Sequence, residues 1–192
     1  AEREVSADFV IWPIVYKEVG NDLSAIYDAV QAKNATLGKF LRGNGVADSE
    51  ISWSAPEIED VQGERYGDNR RPFRYIATVV TTVASKNVDR VREIMGKQGD
   101  LLKQGIAFSG DDYRYRKIYS FNALNEIKPA MIDEANKNAR AAGEKFASDS
   151  DSKLGKIKTA SQGQFSISDR DENTPYIKNV RVVTSVQYFL ED

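Results

Sequence analysis

The sequence predicts an α+β fold in which two β-α-β-β units, joined by an intervening helix, build an antiparallel sheet covered by helices. Two observations carry this prediction. The apolar residues switch several times between the two-residue spacing of strands and the 3.6-residue spacing of helices. A strand, a helix and a hairpin also follow one another in both halves of the chain, which indicates a loose internal duplication.

The first half opens with a long strand and a helix. Val5–Val19 is rich in β-branched and aromatic residues, which favour a strand. Apolar residues at helical spacing then predict a helix over 23–41. Asn21 or Asp22 is the expected N-terminal cap, and Gly43 is the expected stop.

A hairpin and a second helix complete this half. The alternating run 51–55 and the β-rich run 75–83 are separated by polar turn residues, so they predict a hairpin. Asn87 is expected to cap a helix that ends near Gly105. A short strand, Ile106–Phe108, follows it.

The second half repeats the pattern. Tyr113–Asn122 alternates as a strand, with its tyrosines on one face and its arginines on the other. A helix is expected over Glu126–Ser148, with Pro129 in its first turn. Leu154–Ile167 and Val180–Leu190 are the closing strands. The inner stripe of the helix is predicted to be small and closely packed: Met131, Ala135, Ala139, Ala142 and Phe146.

Length and composition favour one soluble globular domain over residues 1–192. The 27 basic and 29 acidic residues give a net charge of −2, so no long-range attraction to nucleic acid or anionic lipid is expected. The chain contains no cysteine and no histidine. Their absence excludes thiol nucleophiles, disulfides, imidazole bases and the usual zinc sites.

The strongest sequence signature lies after the last helix. An alanine-rich stretch, 135–147, leads through a short turn into Leu154, Gly155, Lys156 and Ile157. This succession resembles the SIMPL (YggE-like) family. The first half adds a strand containing Pro13, followed by the succession Leu41, Gly45 and Ile51, and the resemblance spans nearly the whole chain. Two departures indicate a divergent branch: Ile14 replaces an Asp that usually follows the proline, and Asp151 stands where many members have glycine.

The resemblance implies a non-enzymatic protein of the bacterial periplasm or cell envelope, linked to oxidative-stress defence and capable of ring-like or channel-like self-assembly. It implies no catalytic residue, no cofactor-binding residue, no metal ligand and no cofactor. The chain begins at Ala1, and we expect that a signal peptide was cleaved or that an N-terminal membrane anchor is missing from it. The expected partner is a second copy of the chain.

Two acidic clusters have some features of metal sites. Asp149, Asp151 and Lys153 follow the spacing of a calcium loop, but a lysine occupies the third ligand position. Asp169, Asp171 and Glu172 lie where turn residues are expected between strands. We therefore interpret both clusters as structural.

Other candidates are also better explained without chemistry. The aromatic and basic run 113–117 matches some single-strand nucleic-acid platforms, but it equally describes a half-buried strand. Ser152 beside Lys153 is adjacent only in sequence. Asn34 begins a glycosylation sequon inside a predicted helix. The arginines of one loop could bind an anion but are expected to solubilise it: Arg65, Arg70, Arg71 and Arg74.

Three functions remain open at this point. The first is an envelope assembly protein that uses a terminal strand, Val5–Val19 or Val180–Leu190, or the loop Gly63–Arg74 for a symmetric self-contact. The second is a small-molecule or ligand-binding module with an apolar pocket lined by Trp12, Trp53 or the tyrosines. The third is a carboxylate- or lysine-based enzyme.

Overall fold

The computed structural model describes residues 1–63, 71–109 and 113–191. The helices are α1 (Leu23–Gly43), α2 (Val88–Gly96), α3 (Gly99–Leu102) and α4 (Leu124–Asp149). The strands, in chain order, are β1 (Glu2–Ser6), β2 (Phe9–Gly20), β3 (Ile51–Trp53), β4 (Glu57–Asp60), β5 (Tyr75–Ser85), β6 (Ile118–Ser120), β7 (Lys153–Gln162), β8 (Ser166–Asp169), β9 (Ile177–Arg181) and β10 (Thr184–Glu191).

Mixed helices and antiparallel sheets confirm the α+β class. The chain forms two compact units. The first unit comprises Ala1–Asp8 and Tyr119–Asp192, and the second comprises Phe9–Ile118. The single domain expected over residues 1–192 stays a prediction.

The second unit is built on β5. Strand β2 pairs antiparallel with it along its whole length, from Tyr75 opposite Gly20 to Ser85 opposite Val10. Strands β3 and β4 pair with the other edge of β5, as the predicted hairpin requires. Alternate side chains of β2 are fully buried and supply much of the core: Val10, Trp12, Ile14 and Tyr16.

Helix α1 packs on this sheet. Asp22 is its N-terminal cap, since its side chain accepts a hydrogen bond of 2.8 Å from the backbone N–H of Ala25. The Tyr16 hydroxyl donates to the side-chain oxygen of Asn34 at 2.9 Å. Burial, reinforced by the charge of Glu18, raises the pKa of Tyr16 to about 12, so this buried phenol stays neutral.

The predicted second helix is divided into α2 and α3. Asn87 caps α2 as expected, accepting from the backbone N–H of Arg90 at 3.1 Å. The helix then ends at Gly96, and α3 begins at Gly99. Glycine is a poor helix former, which explains why an apolar spacing typical of one helix is interrupted here.

The first unit contains a long hairpin, each arm of which is divided into two strands. Strands β7 and β8 form one arm, and β9 and β10 form the other. Strand β1 adds to β9, giving the order β1-β9-β8, while β7 and β10 form a two-stranded ribbon. The unit's core lies between α4 and β9 and includes Met131, Ala135, Val180 and Val182.

The predicted strand Val5–Val19 is wrong as a single element. It is split at Ala7 and Asp8 into β1 and β2, which belong to different units. The Asp8 carboxylate accepts hydrogen bonds of 2.8 Å from the backbone N–H groups of Asn122 and Ala123. Residue composition alone predicts one continuous strand here, but the strand is interrupted where Asp8 bonds to the start of α4.

The predicted strand Tyr113–Asn122 is also largely wrong. Tyr113–Tyr115 forms a 3-10 turn, and only Ile118–Ser120 is extended. Tyr113 is 74% exposed whereas Tyr119 is 8% exposed, so the tyrosines do not form one row. Alternation of residue types indicates a strand only where a pairing partner exists.

The inner stripe of α4 was predicted correctly at one end only. Met131 and Ala135 are buried, but Ala142 is exposed and Phe146 is 76% exposed. The buried position near the end of the helix is Ala147. Pro129 lies in the second turn of α4 and not in the first, because the helix begins at Leu124.

Thr81 provides a test of the core of the second unit. It is fully buried in β5, and within the described part of the chain its hydroxyl oxygen has no hydrogen-bond partner. We expect Thr81→Val to raise the free energy of unfolding by about 1 kcal/mol, because it removes an unsatisfied polar group at constant shape. Denaturant titration measures this, with half-buried Thr82→Val as control; destabilisation by Thr81→Val alone would contradict it.

Candidate functional site

The first unit carries an exposed two-stranded ribbon, which we call the terminal ribbon and define as β7 with β10. Three large apolar side chains on it are more than half exposed: Ile157 at 57%, Phe189 at 52% and Leu190 at 59%. Two-stranded ribbons are marginally stable unless other elements support them. Here α4 packs against both strands.

Glycines allow the close packing of this ribbon. A Cβ atom on Gly143 of α4 would lie 3.2 Å from Leu154 and 3.3 Å from Tyr188. A Cβ atom on Gly155 would lie 2.9 Å from the backbone carbonyl oxygen of Phe189. Gly155 therefore allows the close approach of β7 to β10.

The two strands of the ribbon differ in regularity. Gln187 pairs with Thr159 while the next residue, Tyr188, pairs with Ile157, so Lys158 is an extra residue on β7. A second shift separates Tyr188 from Leu190, and the extra residue again lies on β7. Strand β7 therefore carries bulges, whereas β10 runs regularly.

The sequence departure at Asp151 has a structural explanation. Asp151 has a φ of 52° and follows Ser150, the C-cap of α4, and the next residue, Ser152, donates its backbone N–H to the carbonyl oxygen of Ala147 at 2.9 Å. This left-handed position after a helix is the one that glycine prefers. Aspartate tolerates it better than most residues do.

Neither acidic cluster gathers around a common point. Asp149 forms an ion pair with Lys145 one turn away, and the Ser152 hydroxyl donates to the carbonyl oxygen of Ser150 at 3.2 Å. In the β8–β9 turn, Asp171 accepts hydrogen bonds of 2.8 Å from the backbone N–H groups of Asn173 and Thr174. No three acidic side chains in the described ranges lie close enough together to hold a metal ion.

Asp171 is an electrostatic anchor of its turn. A hydrogen bond from the Thr174 hydroxyl is the main cause that lowers the pKa of Asp171 to about 2. Arg170 and the two backbone N–H groups lower it further. The neighbouring Lys178 is buried and paired with Asp169. The loop expected from the turn residues is therefore present and held by local hydrogen bonds.

The remaining candidates are the loop arginines and the sequon residue Asn34. Arg74 binds Asp60 through two nitrogens at 2.8 and 3.0 Å, which lowers the pKa of Asp60. Arg71 is exposed, and Arg65 and Arg70 lie outside the described residues. Asn34 is half-buried and bonded to Tyr16, which is a poor acceptor environment for a glycan.

The aromatic residues suggested for a ligand pocket do not meet. Trp12 is 1% exposed in the core, while Trp53 is 41% exposed and lies over Gly38. A different, open cleft of about 350 Å³ lies in the first unit, beside Ala135, Asn138, Arg181 and Thr184. The Thr184 hydroxyl oxygen is buried there without a partner among the described atoms.

Asp151 tests the helix-end interpretation. We expect Asp151→Gly to stabilise the protein by roughly 0.5–1 kcal/mol, because glycine removes the steric cost of a left-handed backbone but loses more chain entropy on folding. The matched control, Asp149→Gly, changes the last residue of α4, which pairs with Lys145, and should destabilise by about 0.5 kcal/mol. Thermal or chemical denaturation compares them, and equal losses from both variants would refute the left-handed assignment.

Asp171 predicts a pH dependence of stability. Its pKa is lowered from 3.8 to about 2 in the folded chain, so its contribution is complete above pH 3.8 and is lost as the pH falls towards 2. We expect the melting temperature of wild type to fall more steeply over this range than that of Asp171→Asn. Parallel curves for the two proteins would contradict this prediction.

A protein family matches most of the chain. No curated protein matches the chain. None of the described helices combines the length and apolar character needed to cross a bilayer. The family model named SIMPL, described as a protein of unknown function (DUF541), matches residues 1–188. The match covers both units, the alanine-rich helix and the Leu-Gly strand start, and the chain therefore belongs to the SIMPL family.

Proposed function

We propose that the chain is a non-enzymatic, homo-oligomeric protein of the bacterial envelope that supports oxidative-stress defence through assembly. The observation that carries this proposal is the terminal ribbon, with Ile157, Phe189 and Leu190 more than half exposed. Large apolar side chains left exposed are a feature of protein-protein contacts. Comparable exposure occurs singly at Tyr27, Leu102 and Phe146, whereas the ribbon carries three such residues on two paired strands. Membership of the SIMPL family is consistent with it.

The ionisable groups support a non-enzymatic role. In the described ranges, the shifted pKa values belong to groups with evident structural partners, such as Asp60 with Arg74 and Asp171 with Thr174. Catalytic groups, by contrast, usually have shifted pKa values inside a cleft. Tyr16, the buried exception, is hydrogen-bonded into the core.

The composition also limits how the chain could act in oxidative stress. It has no cysteine, so the reversible thiol oxidation used by redox sensors is unavailable to it. Its two methionines include Met131, which is fully buried. A protective role would therefore come from what the protein assembles or supports.

Mass in solution tests the proposal directly. We expect the purified 192-residue chain to exceed its monomer mass of 21.5 kDa at tens of micromolar protein, as measured by light scattering. High salt should leave the oligomer largely intact, because the contact is proposed to be apolar.

Two outcomes would count against the proposal. A monomer over this concentration range would remove its physical support. A monomer whose melting temperature rises with a small molecule would favour the alternative, a ligand-binding module using the cleft beside Thr184. Localisation is tested separately by fractionating cells that express the natural full-length gene.

A further inference from the structure

The two units share one arrangement of strands, but one strand position is occupied by a long strand in the second unit and by a short strand in the first. In the second unit, β5 has β3 and β4 on one edge and β2 along the whole of the other. In the first unit, β9 and β10 together correspond to β5, and β8 and β7 correspond to β4 and β3. Strand β1 takes the position of β2 but pairs only with β9. In the described structure no strand pairs with the corresponding edge of β10.

Backbone hydrogen bonds show which groups of β10 face this free edge. The carbonyl oxygen of Val183 accepts from Gly163 at 2.8 Å, so residue 183 points towards the β7 side. Val182 exchanges hydrogen bonds of 3.0 Å with Ala1 and so points the other way. Because successive residues of a strand alternate, the backbone groups of 184, 186 and 188 point to the free edge.

The two edges of the terminal ribbon are protected to different extents. Strand β7 carries Lys153, Lys156 and Lys158 together with its bulges, the devices by which proteins prevent edge pairing. Strand β10, TSVQYFLE, contains no lysine, proline or glycine, and its one charge is the terminal Glu191. Because β7 is protected against edge pairing and β10 is not, the free edge of β10 is the one available to pair with another strand.

We infer that β10 pairs with β10 of a second copy of this chain, antiparallel about a two-fold axis beside Gln187. This inference rests on the proposed homo-oligomer and assigns its contact. In an antiparallel pair, a residue whose backbone groups point towards the partner strand lies opposite another such residue. On β10 these are the even-numbered residues, so each even-numbered residue must lie opposite an even-numbered residue of the copy. Among the registers that meet this condition, the one that pairs the most edge-facing residues, four on each strand, places 184 opposite 190 and 186 opposite 188, with Gln187 opposite its own copy.

The side chains agree with this register. On one face, Phe189 lies opposite Ser185 of the copy, with the two Gln187 amides between them. On the other face, Tyr188 lies opposite Val186, and Leu190 lies opposite Thr184. Each large apolar or aromatic residue thus meets a smaller one, and the exposed Phe189 and Leu190 gain neighbours.

Charge also favours a second copy as the occupant. The two Glu191 side chains lie at opposite ends of the paired strands, so no like charges face each other. An isologous two-fold contact is self-complementary by construction and closes on itself, which prevents indefinite growth along this edge. An acidic or basic peptide would find no partner charge in the middle of β10.

Single cysteines test the register in the naturally cysteine-free chain. A non-hydrogen-bonded antiparallel pair has Cα atoms about 4.5 Å apart, within disulfide range. Gln187→Cys should therefore form a covalent dimer on mild oxidation. The matched control is Ser185→Cys, exposed on the same strand and face. Its two copies would lie roughly 14 Å apart, too far to be bridged.

A charge exchange tests the same contact without oxidation. Gln187→Lys and Gln187→Glu each place like charges across the axis, so each should lower the solution mass about twofold while circular dichroism stays native. An equimolar mixture of the two variants should restore the wild-type mass. Ser161→Lys, on the β7 strand of the ribbon, should leave the mass unchanged.

The outcomes separate this inference from the proposed function. An oligomeric wild type in which Gln187→Cys and Ser185→Cys crosslink equally, or in which the mixture restores nothing, overturns the β10 contact and leaves the homo-oligomer in place. A monomeric wild type overturns both. Selective crosslinking at position 187 together with restoration in the mixture establishes the pairing.

Discussion

The need of every strand to satisfy its backbone N–H and C=O groups shapes both units of this protein. In the second unit the ladder between β2 and β5 meets that need over all 11 residues of β5. The side chains beneath it, from Val10 to Tyr16, are correspondingly buried. In the first unit the five residues of β1 pair only with β9. Strand β10, which continues the same arm of the hairpin, therefore pairs with β7 alone. In the second unit β5 is paired along its whole edge, whereas in the first unit only the β9 part of the corresponding arm is paired. This difference explains why the first unit carries an exposed ribbon.

The sequence predicts much of this architecture because local chemistry determines it. Caps at Asp22 and Asn87, the α1 spacing and the β-rich runs are short-range signals, and the structure contains the corresponding elements. The predictions fail where a distant residue decides the outcome. The run Val5–Val19 is divided because Asp8 binds the start of α4, more than 110 residues away. The stripe of α4 shifts from Phe146 to Ala147 because the helix meets the ribbon near its end, which spacing alone does not encode.

The candidate surface was only partly visible in the sequence. Val180–Leu190 was among the strands expected to mediate a self-contact, but the division into β9 and β10 and the limited reach of β1 depend on pairing over long distances. The turn between β8 and β9, by contrast, follows from local turn chemistry. Asp171 shows why, since its carboxylate is already bound by Thr174 and two backbone N–H groups of its own turn. A carboxylate so bound has little capacity left for a ligand.

The position of β1 has a consequence for how the chain folds. Ala1 bonds to Val182, so the sheet of the first unit joins the two ends of the chain across 181 positions. The second unit is continuous in sequence, from Phe9 to Ile118, and contains both strands of the β2–β5 ladder. In a chain that emerges N-terminus first, β1 must therefore wait, unpaired, until β9 has appeared, more than 170 residues later. Closure of the first unit is then the late, slow event, and until it occurs both β1 and the hairpin that receives it are open to chaperones and to other copies of the chain.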